Sequence, residues 1–348
     1  MPRFLPCLLA ALLAWSPGIR AESPPGDNEP GDTLIVLAAP PAGDPYYRPL
    51  RQAILDFQTS YARQIHGRDH VVILADKSTC RELAPSLPPG LLLEAPMRDI
   101  WTRDFFPVRP ENPILFRYAA AAQNGCPREA KRVQAAFLRF AHRHRLAFRR
   151  VPWILDGGNV VDNGSDKAIV TDRFLADNAL TRTRAVALLR EHLGVDHVAI
   201  LPADPDDTLG HADGMAAFID AGTVAVTRAD GLDRDAILHE LRTEFPGIRI
   251  IEIETVFDED AFDPAYGSAK GIYVNATVTD CCIYLPVFGL ETDAAVLETF
   301  RAATSREVVP VDASAVARLG GSVRCLGAQL KGENARRLIR AARNQPPP

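Results

Sequence analysis

The chain has 348 residues, of which 47% are hydrophobic and 24% charged, with a formal net charge of −5. Domains commonly take ~100–200 residues, so this length builds either two domains or one large repeat-built one. An acidic balance without a basic stripe excludes a nucleic-acid surface and favours a cationic or neutral partner.

The first residues, MPRFLPCLLAALLAWSPGIRAES, place Arg3 before an apolar run from Phe4 to Trp15. Helix-breaking Ser16-Pro17-Gly18 and the small Ala21 follow. This is the layout of a signal peptide over residues 1–21, cleaved after Ala21, and it predicts export to periplasm or medium. The run is shorter than the ~20 apolar residues a membrane span needs, and no other run is long enough. Residues 22–32, ESPPGDNEPGD, read as a Pro/Gly-rich linker with nothing to bury.

Apolar residues then recur at helical spacing over 49–65, 128–145, 181–194, 233–245, 291–303 and 333–344. Between them lie β-rich runs: VPWIL then AIVTD; HVAILP then MAAFI and TVAVT; GIYVNATV then CIYLPVF. The order strand, polar turn, strand, helix recurs about every 50 to 60 residues, which predicts a stacked or circular α/β repeat. Residues 345–348 read as a disordered tail.

Each module offers polar residues beside its strands: Asp104 in RDIWTRDFFP, Asp156 in LDGGN, His211 and Asp213 in GHADG, Asn275 in YVN and Cys325 in GGSVRC. A ring of such units brings them to a common axis. Facing carboxylates at Asp104 and Asp213 suit a planar guanidinium, whose N–H groups they accept in pairs. Cys325 as thiolate then has an electrophilic carbon to attack, and His211 serves as acid for departing ammonia and base for water.

Plainer readings stand beside these. GHADG alone is an exposed turn or two metal ligands, and LDGGN a tight turn. Trp101 is a core residue or a wall for a substrate stem, Asn275 a structural amide on a strand, and Cys325 a buried thiol. Asp99 and Arg103 read as a local ion pair or as support for the site. Of the five cysteines beyond the leader, the vicinal Cys281 and Cys282 read as core residues in an apolar strand; a Cys80–Cys126 disulfide stays open.

The motifs W-x-R-D (Trp101 to Asp104), D-G-G (Asp156 to Gly158), G-H-x-D (Gly210 to Asp213), Y-x-N (Tyr273 to Asn275) and G-G-x-x-x-C (Gly320 to Cys325) resemble, in this order, the agmatine deiminase and bacterial peptidylarginine deiminase family. That family belongs to the guanidino-group-modifying superfamily. The resemblance implies an α/β fold, a five-bladed propeller of strand-strand-helix modules, forming a single deiminase domain over 33–344. It implies Cys325 as nucleophile, His211 as acid/base, Asp104 and Asp213 as guanidinium holders, Trp101 as a pocket wall, Asn275 as the group that orients the site and Asp156 as substrate-binding, without cofactor or metal. The chain departs from the pattern at Asp156, where Glu is usual, at Arg324, where His is common, and at Phe105-Phe106-Pro107, where a glycine-bearing turn is usual.

Export favours peptidyl-arginine as the preferred substrate, converted to citrulline, with agmatine as the alternative. Arg128 and Arg324 are candidates to hold a substrate carboxylate. A non-catalytic propeller that binds a partner, and an amidinotransferase using the same covalent intermediate, are the readings from other classes.

Overall fold

The structure, a computed structural model, describes residues 31–119, 126–255 and 260–346. The leader, linker residues 22–30 and tail residues 347–348 lie outside the described residues. Among those described, no helix is long and apolar enough to cross a membrane.

The β-branched runs form central strands of small sheets, and the amphipathic segments form helices laid over them. Thr223–Arg228 is one such central strand. It pairs antiparallel with Ala216–Asp220 before it and parallel with Arg249–Glu254 after it. A parallel partner cannot be reached by a tight turn, so the chain crosses over through helix Arg234–Glu244. The same order recurs around Lys167–Thr171 and Cys282–Val287. Around Ile114–Arg117 it is reduced, the antiparallel partner being a single bridge at Val108.

The fifth sheet joins distant parts of the chain. Ala328–Leu330 pairs antiparallel with Leu34–Ala38, which pairs parallel with His70–Ala75. Among the described residues the strands thus fall into five separate sheets. The unit is strand, strand, helix, strand. His197–Leu201, grouped above with the runs that follow it, instead completes the sheet of Lys167–Thr171.

The predicted helices form within a few residues of their expected ends. Helix Pro127–Arg143 starts on a proline, whose missing N–H costs nothing there, and buries Ala130, Val133, Phe137, Phe140 and Ala141 on one face. Helix Arg182–Leu193 is capped by the Thr181 side chain and stops at Gly194, at φ 67°.

One regularity positions the site. Asp104, the turn Gly157–Asn159, the turn Ala212–Gly214, Asn275 and Cys325 each lie two to five residues before the first strand or bridge of a unit. Asn275, expected on a strand, lies in an irregular turn before the short strand Thr277–Val278. Cys80 is buried and Cys126 exposed, and they are not bonded.

Candidate active site

Two close approaches explain the glycines before Cys325. Gly320 takes φ 91°, a conformation L side chains avoid. A Cβ on Gly321 would stand 2.6 Å from Trp101 Cζ3 and 3.1 Å from Cys325 Cβ. The backbone therefore packs flat on the indole and turns the sulfur into the cavity.

Asn275 clamps that turn. Its Oδ1 accepts from Ser322 Oγ at 3.0 Å and from the N–H groups of Arg324 (3.2 Å) and Cys325 (3.3 Å). Three donors on one atom fix the amide's orientation, so Nδ2 is the face that meets Cys325 Sγ at 3.1 Å and the Asp213 carbonyl at 3.2 Å. The Arg103 N–H holds the Cys325 carbonyl at 3.2 Å.

His211 sits between two acids, with Nε2 3.5 Å from Asp156 Oδ2 and Nδ1 3.8 Å from Asp104 Oδ1. Gly158 donates its N–H to Asp104 Oδ1 at 2.9 Å. A Cβ on Gly158 would stand 2.5 Å from His211 Nδ1 and 2.7 Å from Asp104 Oδ1, so only glycine lets the three meet. The histidine's own loop is tied down by Thr171, whose hydroxyl donates to the Gly210 carbonyl at 2.6 Å. Asp213 Oδ2 lies 3.7 Å from Cys325 Sγ and takes Arg324 Nη1 at 2.9 Å.

The charges set protonation. Burial alone would push the His211 imidazolium down, but the carboxylates of Asp104, Asp156 and Asp213 outweigh it and lift its pKa to about 10. Burial raises Asp104 to about 7, against the pull of His211 and the Gly158 N–H. Burial, then the charges of Asp213 and Asp104, drive the Cys325 thiol well above its ordinary range. At neutral pH the free site therefore holds a cationic imidazole and a neutral thiol.

Two cavities meet at the sulfur. One, of about 310 Å³, is lined by Tyr46, Tyr47, Asp99, Trp101, Asp104 and Cys325 among others. The other, of about 430 Å³, is lined by Asp207, His211, Asp213, Tyr266, Asn275 and Cys325 among others. Leu209, Tyr266, Gly320, Gly321 and Cys325 line both.

Two sequence candidates are placed otherwise. Arg324 is buried, held by Asp213 and by the Val160 carbonyl at 2.7 Å, so it orients the acid and is not free for a substrate carboxylate. Arg128 is exposed on the first turn of helix Pro127–Arg143, outside the residues that line either cavity. Arg103 gives Nη2 to Gln329 at 2.8 Å, and Asp99 takes the Tyr47 hydroxyl at 2.6 Å. Sequence reasoning missed Tyr46, Tyr47, Tyr266 and Ser322; the tyrosines sit in loops without periodicity, and Ser322 is distinguished only by its contact.

Residues 27–330 match the Porphyromonas-type peptidyl-arginine deiminase family, and the chain belongs to that family. It is 26% identical over 215 residues to an agmatine deiminase of Stutzerimonas stutzeri, covering 52% of this chain and 58% of the relative. With an agmatine deiminase of Pseudomonas putida the identity is 26% over 212 residues, covering 51% and 57%. The chain thus spans a little over half the length of these curated relatives. The fold is similar to that of C. jejuni agmatine deiminase, with a TM-score of 0.72 at 18% identity, covering 87% of this chain and 94% of that one.

Proposed function

We propose that the protein is an exported hydrolase of guanidino groups that acts on an agmatine-like substrate and releases ammonia. The convergence of Cys325, His211, Asp104, Asp156 and Asp213, from four separate sheet units, carries this reading. Five sheets, with the last strand paired to the first, support a five-bladed ring over residues 33–344 as a single domain. The leader supports export.

The substrate guanidinium lies between Asp104 and Asp213, its positive charge replacing the water those acids lose on burial. That charge also favours the thiolate, so substrate binding itself lowers the Cys325 pKa. The thiol proton passes to solvent as substrate binds and returns when the product departs; the thiolate attacks the central guanidinium carbon, and His211, already cationic, gives its proton to the departing amino group. Ammonia leaves, and an S-alkylthiouronium remains on the enzyme. His211, now neutral, takes a proton from water; hydroxide adds to the same carbon, the C–S bond breaks and a ureido product departs. The balance is one guanidinium and one water giving one urea and one ammonium.

The agmatine reading displaces the peptidyl-arginine preference. The curated relatives named above are agmatine deiminases. The cavity over the sulfur is acidic and aromatic: Asp44, Asp99 and Glu129 line it. Arg98, the one base among its described lining residues, lies 3.4 Å from Glu129. A substrate with an amine at its far end meets complementary charge there, whereas a carboxylate would not.

The test is a panel of agmatine, free arginine and peptides with internal or C-terminal arginine, assayed for ureido product and ammonia. Agmatine turnover well above the others is expected, and it should vanish in Cys325→Ala with folding intact. Product formed equally fast by that variant would overturn the mechanism. No turnover of any guanidine would favour a binding protein, and transfer of the amidino group to added glycine or ornithine an amidinotransferase.

A further inference from the structure

Neighbouring residues of an extended strand point to opposite faces of a sheet, so Cys281 and Cys282 should hold their sulfurs apart. They do not. Cys281 lies in the bend that precedes strand Cys282–Val287, and the two sulfurs stand 3.3 Å from one another. Asp69, only 1% exposed, faces them from the segment between helix Arg51–Ile65 and strand His70–Ala75.

The two oxygens of Asp69 are treated differently. Oδ2 lies 3.3 Å from Cys281 Sγ and accepts the hydroxyls of Thr279 (2.8 Å) and Tyr284 (2.9 Å). Oδ1 is buried without a hydrogen-bond partner among the described residues. Buried carboxylate oxygens are ordinarily satisfied, so this one marks an unfilled role. A Cβ on Gly31 would lie 2.8 Å from that oxygen and 3.5 Å from Cys281 Sγ, so a glycine keeps the space beside them open.

One ligand atom from each of Asp69, Cys281 and Cys282 lies within 4.8 Å of the others. Two sulfurs and one carboxylate oxygen suit a thiophilic cation and not magnesium or calcium, which take oxygen ligands. Tetrahedral binding at ~2.3 Å per sulfur sets two sulfurs about 3.8 Å apart, a small opening from the observed spacing. We propose that Asp69, Cys281 and Cys282 form a binding site for one thiophilic divalent cation, of the zinc type, separate from the catalytic centre and joining two sheet units.

The Arg68 carbonyl lies 3.5 Å from Cys281 Sγ, and it or a water would supply a fourth ligand. Binding forms two metal–sulfur bonds, and the two thiol protons leave to solvent. Both thiols must lose a proton to hold the metal, so affinity should climb with pH. A metal held only in the folded state would stabilise it.

The probe is cadmium chloride, titrated into the full chain carrying Cys325→Ser so that the catalytic thiol does not compete. One cadmium per chain is expected, with a thiolate-to-metal ultraviolet band, two protons released, two thiols protected from a disulfide reagent and a higher unfolding temperature. Zinc should displace the band. Cys281→Ser, at a half-buried position that tolerates the change, should abolish the band while circular dichroism stays native, and Asp69→Asn should weaken binding by at least about ten-fold. Absence of the band in the parent, its survival in Cys281→Ser, or a Cys281–Cys282 disulfide that leaves no thiols to titrate would each overturn the proposal.

Discussion

Among the described residues, two places set a cysteine sulfur against a buried carboxylate: Cys325 by Asp213 at 3.7 Å, and Cys281 by Asp69 at 3.3 Å. The carboxylates differ in company. Asp213 shares its oxygen with the Arg324 guanidinium, and the His211 cation lies in the same cavity. Asp69 is met by the neutral hydroxyls of Thr279 and Tyr284. Fixed cations and an open cavity make the first sulfur a candidate nucleophile for cationic substrates. Neutral donors, a second sulfur and an empty carboxylate lone pair make the other a candidate ligand. The contact is alike; the surrounding charge decides its use.

The largest expected effect separates the two sulfurs directly. Cys325→Ala should cut turnover by as much as ~10⁶-fold, the scale of losing a covalent nucleophile. Cys282→Ala should leave kcat/KM of agmatine hydrolysis unchanged and lower stability by about 1 kcal/mol for the lost buried sulfur. Steady-state assay and thermal unfolding of both variants check this, and equal activity losses would erase the contrast.

Next comes the packing that brings the acids to the histidine. Gly158→Ala drives a methyl into His211 and Asp104, and a displacement near 1 Å should cost on the order of 10²-fold in kcat. Measured kcat within a few-fold of the parent would show that His211 and Asp104 do not need this close approach.

The charge of His211 sharpens the comparison through pH. Its folded pKa of about 10 lies above the ordinary value of about 6.5, so its contribution to stability is complete below pH ~6.5 and is lost as pH rises through 10. His211→Gln should therefore be less stable than the parent by on the order of 3 kcal/mol at pH 6. The gap should close toward pH 10 in denaturant titrations. A gap that widens with pH would mean that the imidazole is neutral in the free protein.

The smallest effect concerns the thiol itself. Burial and the charges of Asp213 and Asp104 all disfavour an ionised sulfur, so Asp104→Asn should move the iodoacetamide alkylation midpoint of Cys325 to lower pH. Turnover of the same variant should fall, because the guanidinium loses an anchor. A shift to higher pH would contradict the charge order described for the site.

Much of this architecture was legible in the sequence where burial follows a simple period. Helix Pro127–Arg143 shows its apolar face at three- and four-residue spacing, and Thr223–Arg228 its β-branched run. Legibility ends where long-range contacts decide. GIYVNATV reads as a strand from its side chains, yet only Thr277–Val278 is extended; the residues before it turn, and there Asn275 turns both ends of its amide toward residues 322–325. Arg324 looked free because its acid lies 111 positions earlier. The closeness of the Cys281 and Cys282 sulfurs depends on a bend no composition reveals.

The pairing of Ala328–Leu330 with Leu34–Ala38 also sets a time order. A ribosome makes the histidine and all three site acids long before the sulfur at 325, and the sheet that seats this sulfur needs both an early and a late strand. Until that strand docks, the acids and the histidine have no sulfur at 325 held beside them. On the mechanism proposed above, turnover therefore arrives together with topological closure, and a nascent or clipped chain hydrolyses no guanidine.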